Sequence, residues 1–535
     1  MTSPGLAVPR AAAPTRWPDF SRPLAIIGMV IGWELLARLL AGSYILSGPI
    51  DILAYLLGNA GLMTRALLVT LEAAAWGFLW GNLAACGLAL VALLLPRLQP
   101  LISGLALIFF CLPLVATGPI LRVLYGTGTG PQVTLAALAV YYTTYLCLLV
   151  GLRAAPASWF DLVRTYGRGR MTELLRIRIF ATLPYFLAGL QIAAPAAFLG
   201  AMVGEFTGAE RGMGVLAIRA MRGLDVDATW ALASVAAAVS MLAYGALGWI
   251  GRRLGSVPPA LLMAPPPASG RSPLGLRLAL PLAMGLLTLG VVVLLWQGSM
   301  DGLGLNRFFA KRPGDVFAFL FTDAQAAANR ATLLSAFGAT ISLALPGYLL
   351  GLMLGAAMAC AIVIAPALST TMLPIAIALR SVPIITTAPL ITLALGRGAA
   401  GTITIVAVMI FFPTLVACLE GLRRTPGQVI DVFESYAASP LRRLTGAQIP
   451  AMLPAFFASA RMAIPAAFLA ATTAEWLATG GGIGSLMAMT ASTSAYGMLW
   501  SAIVLLALTA SLLYLLAGQL EHLVLSRFAS EQLVK

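Results

Sequence analysis

Long apolar runs constrain this chain more than any other feature. A helix needs about 20 mostly apolar residues to cross the hydrocarbon core of a bilayer, and runs of that length recur from end to end. They predict spans over roughly 23–41, 66–95, 100–122, 132–152, 184–204 and 228–250, and then over roughly 274–296, 335–365, 370–394, 401–420, 454–474 and 498–519. Pro113 and Pro119 interrupt the third span, and Pro383 and Pro389 interrupt the ninth. Of the 535 residues, 60% are hydrophobic and 10% charged, against about 25% charged in soluble domains. One soluble core cannot hide that excess, so the chain reads as an all-α integral membrane protein of about twelve helices.

The same inventory excludes several chemistries. His522 is the single histidine, so neither a Ser-His-Asp device nor a histidine metal site has material to work with. Cys86, Cys111, Cys147, Cys360 and Cys418 all lie in apolar stretches without a CxxC pair and read as small buried hydrophobes. The only lysines are Lys311 and Lys535, and neither sits in the Gly-Lys-Ser/Thr context of a nucleotide-binding P-loop. No catalytic residue, metal or cofactor is expected in the chain; if ATP drives it, another subunit binds the ATP and Mg. The net charge of +14 does not indicate nucleic-acid binding, because the arginines sit in short loops between apolar runs.

Those arginines give a direction. Cytoplasmic loops collect Arg and Lys. The loop after span four holds Arg153, Arg164, Arg168, Arg170, Arg176 and Arg178, and its counterpart after span ten holds Arg423, Arg424, Arg442 and Arg443. Arg10, Arg16 and Arg22 precede span one, and Arg252, Arg253 and Arg271 come after span six. All fall on one side if both termini are cytoplasmic. The loop 205–227, of mixed charge, is then periplasmic. The first twenty residues, with Pro4, Pro9, Pro14 and Pro18, read as a tail, and 23–41 reads as a retained helix rather than a cleaved signal.

The chain is also its own homologue. Shifted by 270 residues, 184–214 (PYFLAGLQIAAPAAFLGAMVGEFTGAERGMG) meets 454–484 (PAFFASARMAIPAAFLAATTAEWLATGGGIG) with 13 of 31 positions identical. Pro113, Pro119, Gly126 and Gly128 meet Pro383, Pro389, Gly396 and Gly398, and Trp230 meets Trp500. Near the start the offset falls to 264, which places about six extra residues of the second copy around 321–334. The Pro-rich stretch 251–273 reads as a linker. The expected organisation is an N-terminal tail (1–22), a first repeat (23–250), the linker, a second repeat (274–520) and a C-terminal tail (521–535). An even number of spans per copy gives a parallel repeat about an axis along the membrane normal.

The segments after spans four and ten read FDLVRTYGRGRMTELLRIRIFATLP (160–184) and IDVFESYAASPLRRLTGAQIPAMLP (430–454). Both are amphipathic and bear arginine, as suits a short helix docking in a partner's groove. They resemble the EAA loop of binding-protein-dependent ABC importer permeases. Asp161, Gly167 and Pro184 fit that pattern in the first copy, and Asp431 and Pro454 fit it in the second, where Ala437 stands in place of glycine. The stretches 113–128 and 383–398, and 195–216 with its twin at 465–486, are similar to the nitrate/sulfonate/taurine-type group of these permeases. The resemblance implies two fused type I permease domains, two cytosolic ABC ATPase subunits, one periplasmic or lipid-anchored binding protein, and alternating access in a bacterial inner membrane. It implies that Asp161, Arg164, Tyr166, Gly167, Asp431, Glu434, Tyr436 and Ala437 couple the chain to the ATPases.

Placement along the spans marks candidate pathway or gate residues. Arg380, about ten residues into span nine and matched by Phe110, is a candidate for an anionic head group or for pairing with an acid such as Glu475. Glu205 and Glu475 end spans five and eleven, either as an outer gate or a surface that senses a binding protein, or as caps of the Gly212–Gly214 and Gly482–Gly484 turns. Phe198 and Phe468 form matched boxes with Pro195 and Pro465, which either close a pore or simply pack. Pro113, Pro119, Pro383 and Pro389 are backbone weak points where helices could rock. The expected cargo is a small anion of the nitrate, sulfonate or taurine kind. The alternatives are a thiamine or flavin precursor, or a twelve-helix secondary transporter with its own coupling chemistry.

Overall fold

The computed structural model describes residues 21–42, 46–126, 128–254, 274–369 and 398–528, with 372, 388, 391 and 394–396 between the last two stretches. Among the described residues the only regular structure is helical. The first repeat runs α1 (Ser21–Leu39), α2 (Pro49–Gly58), α3 (Ala60–Leu94), α4 (Gln99–Phe110), α5 (Leu114–Tyr125), α6 (Gly130–Gly151), α7 (Ala157–Thr165), α8 (Arg170–Phe206), α9 (Met213–Arg222) and α10 (Val226–Arg253). The second runs α11 (Leu274–Gly302), α12 (Pro313–Thr322), α13 (Ala326–Ile364), α14 (Ala399–Arg423), α15 (Gly427–Ser435), α16 (Pro440–Leu477), α17 (Gly482–Ser492) and α18 (Tyr496–Phe528). Nine of the described helices are long and apolar enough to cross a membrane, and a tenth span is counted if α4 and α5 are taken together. Of the predicted ninth span only 372, 388, 391 and 394 are described, and Arg380, Pro383 and Pro389 lie outside the described residues.

Both repeats pack by the same device. Gly77 and Gly81 on α3 face α6 so closely that a Cβ at Gly81 would stand 2.7 Å from the Ala137 carbonyl oxygen. Gly347, Gly351 and Gly355 on α13 approach α14 in the same way, with the Ala407 and Phe411 oxygens 2.7 and 2.8 Å from the Cβ positions of the last two. Lipid chains are as apolar as leucine, so helices here gain little from hiding apolar area; small residues instead admit close backbone contact and dispersion. The first and last spans of each repeat are joined by tryptophan pairs, Trp33 with Trp230 at 5.7 Å and Trp296 with Trp500 at 5.1 Å. Trp33 Nε1 donates to the Ser47 carbonyl at 3.1 Å and Trp296 Nε1 to that of Lys311 at 3.0 Å.

Three sequence expectations are corrected. The third span is not one helix over 100–122: the chain turns by 90° between α4 and α5. Pro113 lacks the N–H that would continue the ladder and sits in extended backbone, φ −70° and ψ 106°. Pro119, by contrast, lies inside α5 without ending it. The fifth and eleventh spans begin well before Pro184 and Pro454, at Arg170 and Pro440, each through a π-turn at Leu174–Arg178 or Leu444–Gln448. Finally, α18 continues to Phe528 through the stretch read as a C-terminal tail, because Glu521 is buried against Arg461 of α16, 3.0 Å away.

The two repeats meet along α4 and α5 of the first and α11, α16, α17 and α18 of the second. This seam is rich in tyrosine. Tyr141 Oη donates to the Ala106 carbonyl at 2.5 Å, Tyr145 Oη and Ser103 Oγ are 2.8 Å apart, and Tyr142 Oη reaches Tyr514 Oη of the second repeat at 3.4 Å. Phe110 stacks on Tyr142 at 4.3 Å, and the Arg461 guanidinium lies 5.6 Å from the Tyr514 ring.

Candidate functional site

The strongest repeat-matched surface lies at the arginine-rich end. Pro156 and Pro426, both extended, precede short helices α7 and α15. Each helix is then stopped by one residue in the left-handed region, Gly167 at φ 65° and Ala437 at φ 50°. The closing bonds are the same in both copies. Gly167 N donates to Arg164 O at 2.9 Å and Arg168 N to Val163 O at 3.1 Å; Ala437 N donates to Glu434 O and Ala438 N to Phe433 O, both at 2.9 Å. The alanine thus takes the conformation that glycine takes in the other loop, at a steric cost of about 1–2 kcal/mol. Ala437→Gly is expected to stabilise the second loop by about 0.5–1 kcal/mol, the relief being partly offset by the freer unfolded chain. Slower hydrogen exchange at Ala438 and its neighbours would report it.

Beyond the stop the chain does not continue as one long surface helix. Residues 170–184 and 440–454, read from sequence as part of the amphipathic loop, are the first turns of α8 and α16. An ion pair straps α7 to the start of α8, with Arg164 Nε 3.0 Å from Glu173 Oε1. The second loop has the same strap with its charges exchanged, Glu434 Oε1 lying 2.9 Å from Arg443 Nη1. Glu173 and Arg443 were missed by sequence reasoning. The signal was present: in the repeat alignment, 164/434 and 173/443 both change sign.

The straps hold a matched apolar face open to the outside. Trp159, Leu162, Tyr166 and Met171 are exposed in the first loop, and Val429, Val432, Tyr436 and Leu441 at the corresponding positions of the second. Tyr166 and Tyr436 are 75% and 83% exposed, extreme for aromatic side chains placed beside charged groups rather than among lipid-facing leucines. Asp161 and Asp431 are exposed on the same helices. The coupling residues named from sequence therefore collect on two small platforms, Arg164 and Glu434 as straps, Gly167 and Ala437 as helix stops, and Tyr166 and Tyr436 as the presented groups.

At the opposite end, Glu205 and Glu475 are buried. Glu205 accepts from Thr70 Oγ1 at 2.6 Å and from Gly214 N at 2.5 Å, while Met213 N donates to Thr70 Oγ1 at 2.8 Å. The second repeat has the same set: Thr340 Oγ1 donates to Glu475 at 2.9 Å, Gly484 N to Glu475 at 2.8 Å, and Ile483 N to Thr340 Oγ1 at 2.8 Å. Each carboxyl group thus tethers the first turn of α9 or α17 to α3 or α13, satisfying helix N–H groups that have no partner within the helix. Gly212 and Gly482 have φ of 128° and 78°, and a Cβ on either would overlap the carboxyl group. Thr70 and Thr340, 135 residues from their acids, carried no local signal beyond their own repeat match.

Phe198 is buried among residues of its own repeat, including Ala136, Met202, Met213 and Leu232, so its ring packs within one half rather than closing a passage between halves. Phe468 packs with Ile464, Ile483, Met487 and Leu499 of the second repeat, in the core that continues into the seam. Pro113 breaks the third span at that seam, and Pro119 is on α5 beside it.

The family described as "Binding-protein-dependent transport system inner membrane component" matches the chain twice, over residues 77–256 and 347–529. A probable ABC transporter permease protein of Haemophilus influenzae is 30% identical over 233 residues, which is 43% of this chain and 94% of the relative. The formylaminopyrimidine transport permease protein ThiX of Halalkalibacterium halodurans is 26% identical over 225 residues, 42% of this chain and 90% of its own. The taurine transport system permease protein TauC of Escherichia coli is 23% identical over 256 residues, 45% and 91% respectively. Each of these relatives, nearly whole, covers less than half of this chain.

Proposed function

This chain belongs to the binding-protein-dependent transport system inner membrane component family and is the permease of an ABC importer, and from that premise we propose that its two repeats do the work of two permease subunits, each loop platform docking one cytosolic ATPase subunit. Family membership overturns the secondary-transporter alternative. The observation that carries the docking reading is the pair of platforms: strap, left-handed stop and exposed apolar face recur at matched positions in the two repeats. The partner subunits bind ATP and Mg and hydrolyse the ATP, and their motion reaches the membrane through α7 and α15. The straps pass it to α8 and α16, which run without a break from the loops into the bundle.

The arginine-rich end faces the cytoplasm in this reading, with both termini, in a bacterial inner membrane. A periplasmic or lipid-anchored binding protein delivers a small solute at the end held by Glu205 and Glu475, and the solute crosses along the tyrosine-rich seam as the halves rock. The solute is a small anion of the nitrate, sulfonate or taurine kind. A heterocyclic thiamine or flavin precursor is the second reading, favoured by the formylaminopyrimidine relative, which is more similar to this chain than the taurine relative is. Uptake of each solute by proteoliposomes charged with the cognate binding protein separates the two.

The docking reading is tested by co-purifying the chain with its ATPase. A central aromatic anchor is worth about 2 kcal/mol or more, some 30-fold in affinity. The double variant Tyr166→Glu, Tyr436→Glu is therefore expected to lose the ATPase while eluting as an intact monomer in detergent. Undiminished association would sink the reading.

A further inference from the structure

We infer that the two platforms grip by different forces: the first is a charged, salt-sensitive anchor that meets acidic side chains on the ATPase, and the second holds mainly by apolar contact. The inference rests on the docking reading. What the platforms share is the apolar face and the strap. What they do not share is charge. Residues 157–178 hold five arginines against Asp161 and Glu173, whereas 427–448 hold two against Asp431 and Glu434.

The arginines of the first loop are not equally engaged. Arg164 is committed to Glu173. Arg178 donates to the Leu152 carbonyl at 2.9 Å and lies 4.7 Å over the Phe160 ring. Arg168, Arg170 and Arg176 are left exposed, and no ion pair among the described residues engages them. Their counterparts are Ala438, Pro440 and Gly446, so this collar exists in one repeat alone. Within residues 427–448 of the second loop Arg443 is committed to Glu434, which leaves Arg442 as the exposed arginine of that platform.

The exchanged polarity of the straps keeps the geometry equal while the surface fields differ. A partner seated on the first platform sees three cations with no acid assigned to them. Such a field speeds encounter, orients the partner and is weakened by salt, because exposed charges beyond about 10 Å are screened at 0.1 M ionic strength. Three exposed arginines on one loop are best satisfied by carboxylates on the occupant of the platform. Two identical ATPase copies would then bind with unequal strength, the copy on the first loop being held more tightly at low salt.

The test is titration of purified ATPase onto the full chain in phosphatidylcholine nanodiscs, from about 50 to about 400 mM NaCl. The unaltered chain is expected to lose affinity by about tenfold or more across that range. The triple variant Arg168→Gln, Arg170→Gln, Arg176→Gln should bind about tenfold more weakly at the low end and respond little to salt. Lysine at the same three positions should restore both properties, and Arg442→Gln should change affinity by less than about twofold. An unchanged salt response in the triple variant, or an equal loss from Arg442→Gln, overturns the inference. So does a response that appears only when anionic lipid is added, which would assign the arginines to lipid head groups. Absence of binding by the unaltered chain at every salt concentration brings down the docking reading itself, and this inference with it.

Discussion

Replacing Glu205 by alanine is expected to cost about 3 kcal/mol and to release the segment 207–222 to proteolysis, and Glu475→Ala is expected to do the same to 479–492. The acid is buried, and its removal orphans a glycine N–H and strips the threonine hydroxyl of its bond between helices, leaving it only the carbonyl of Ala66 or Ala336 on its own helix at 3.2 or 3.3 Å. Each orphaned buried donor costs about 1–3 kcal/mol. Gln keeps a carbonyl oxygen in place and should retain most of the stability. A gate makes a different prediction: transport would fall in the alanine variant with the thermal unfolding of the detergent-solubilised chain unchanged. Unfolding measured beside uptake decides between them, and the hydrogen bonds favour the tether.

Truncating Arg461 to leucine while Glu521 remains is the second large effect. Arg461 and Glu521 are 12% and 4% exposed and 3.0 Å apart, and their repeat counterparts are Gln191 and Gly251. Removing one partner of a buried pair typically costs about 3–5 kcal/mol, because the other charge is left without compensation. Replacing both by leucine should cost much less. A double-mutant cycle in unfolding free energy is therefore expected to return a coupling of at least about 2 kcal/mol. Additive losses would show that the two residues act separately. The pair belongs to the second repeat alone, so the halves are not energetically interchangeable even where their backbones match.

Much of this was legible in the linear chain, for a physical reason. Crossing a bilayer imposes a length and an apolar composition that local sequence must satisfy, so the spans announce themselves. The duplication is legible because the two copies still obey the same packing rules: Gly77 and Gly81 align with Gly347 and Gly351, and Glu205 with Glu475. The short helix after span four could be anticipated from its amphipathic pattern and the proline before it. Even the left-handed stop was marked by Gly167, although Ala437 shows that the position, rather than glycine itself, is what recurs.

The sequence by itself determined the solvent this protein folds in, the number of its copies and the loops that face outward. Those come from hydrophobicity and period, which are properties of neighbouring residues. Only the tertiary structure decided what each polar group is for. Glu205 reads as gate or cap until Thr70, 135 residues away in sequence, is found to donate to it. Residues 170–184 read as loop until they are seen to begin a membrane span, and Pro113 reads as a kink until the chain turns by 90° there. A buried hydrogen bond or ion pair depends on two segments arriving at the same place, and that meeting is fixed by the packing of whole helices rather than by the residues beside either partner.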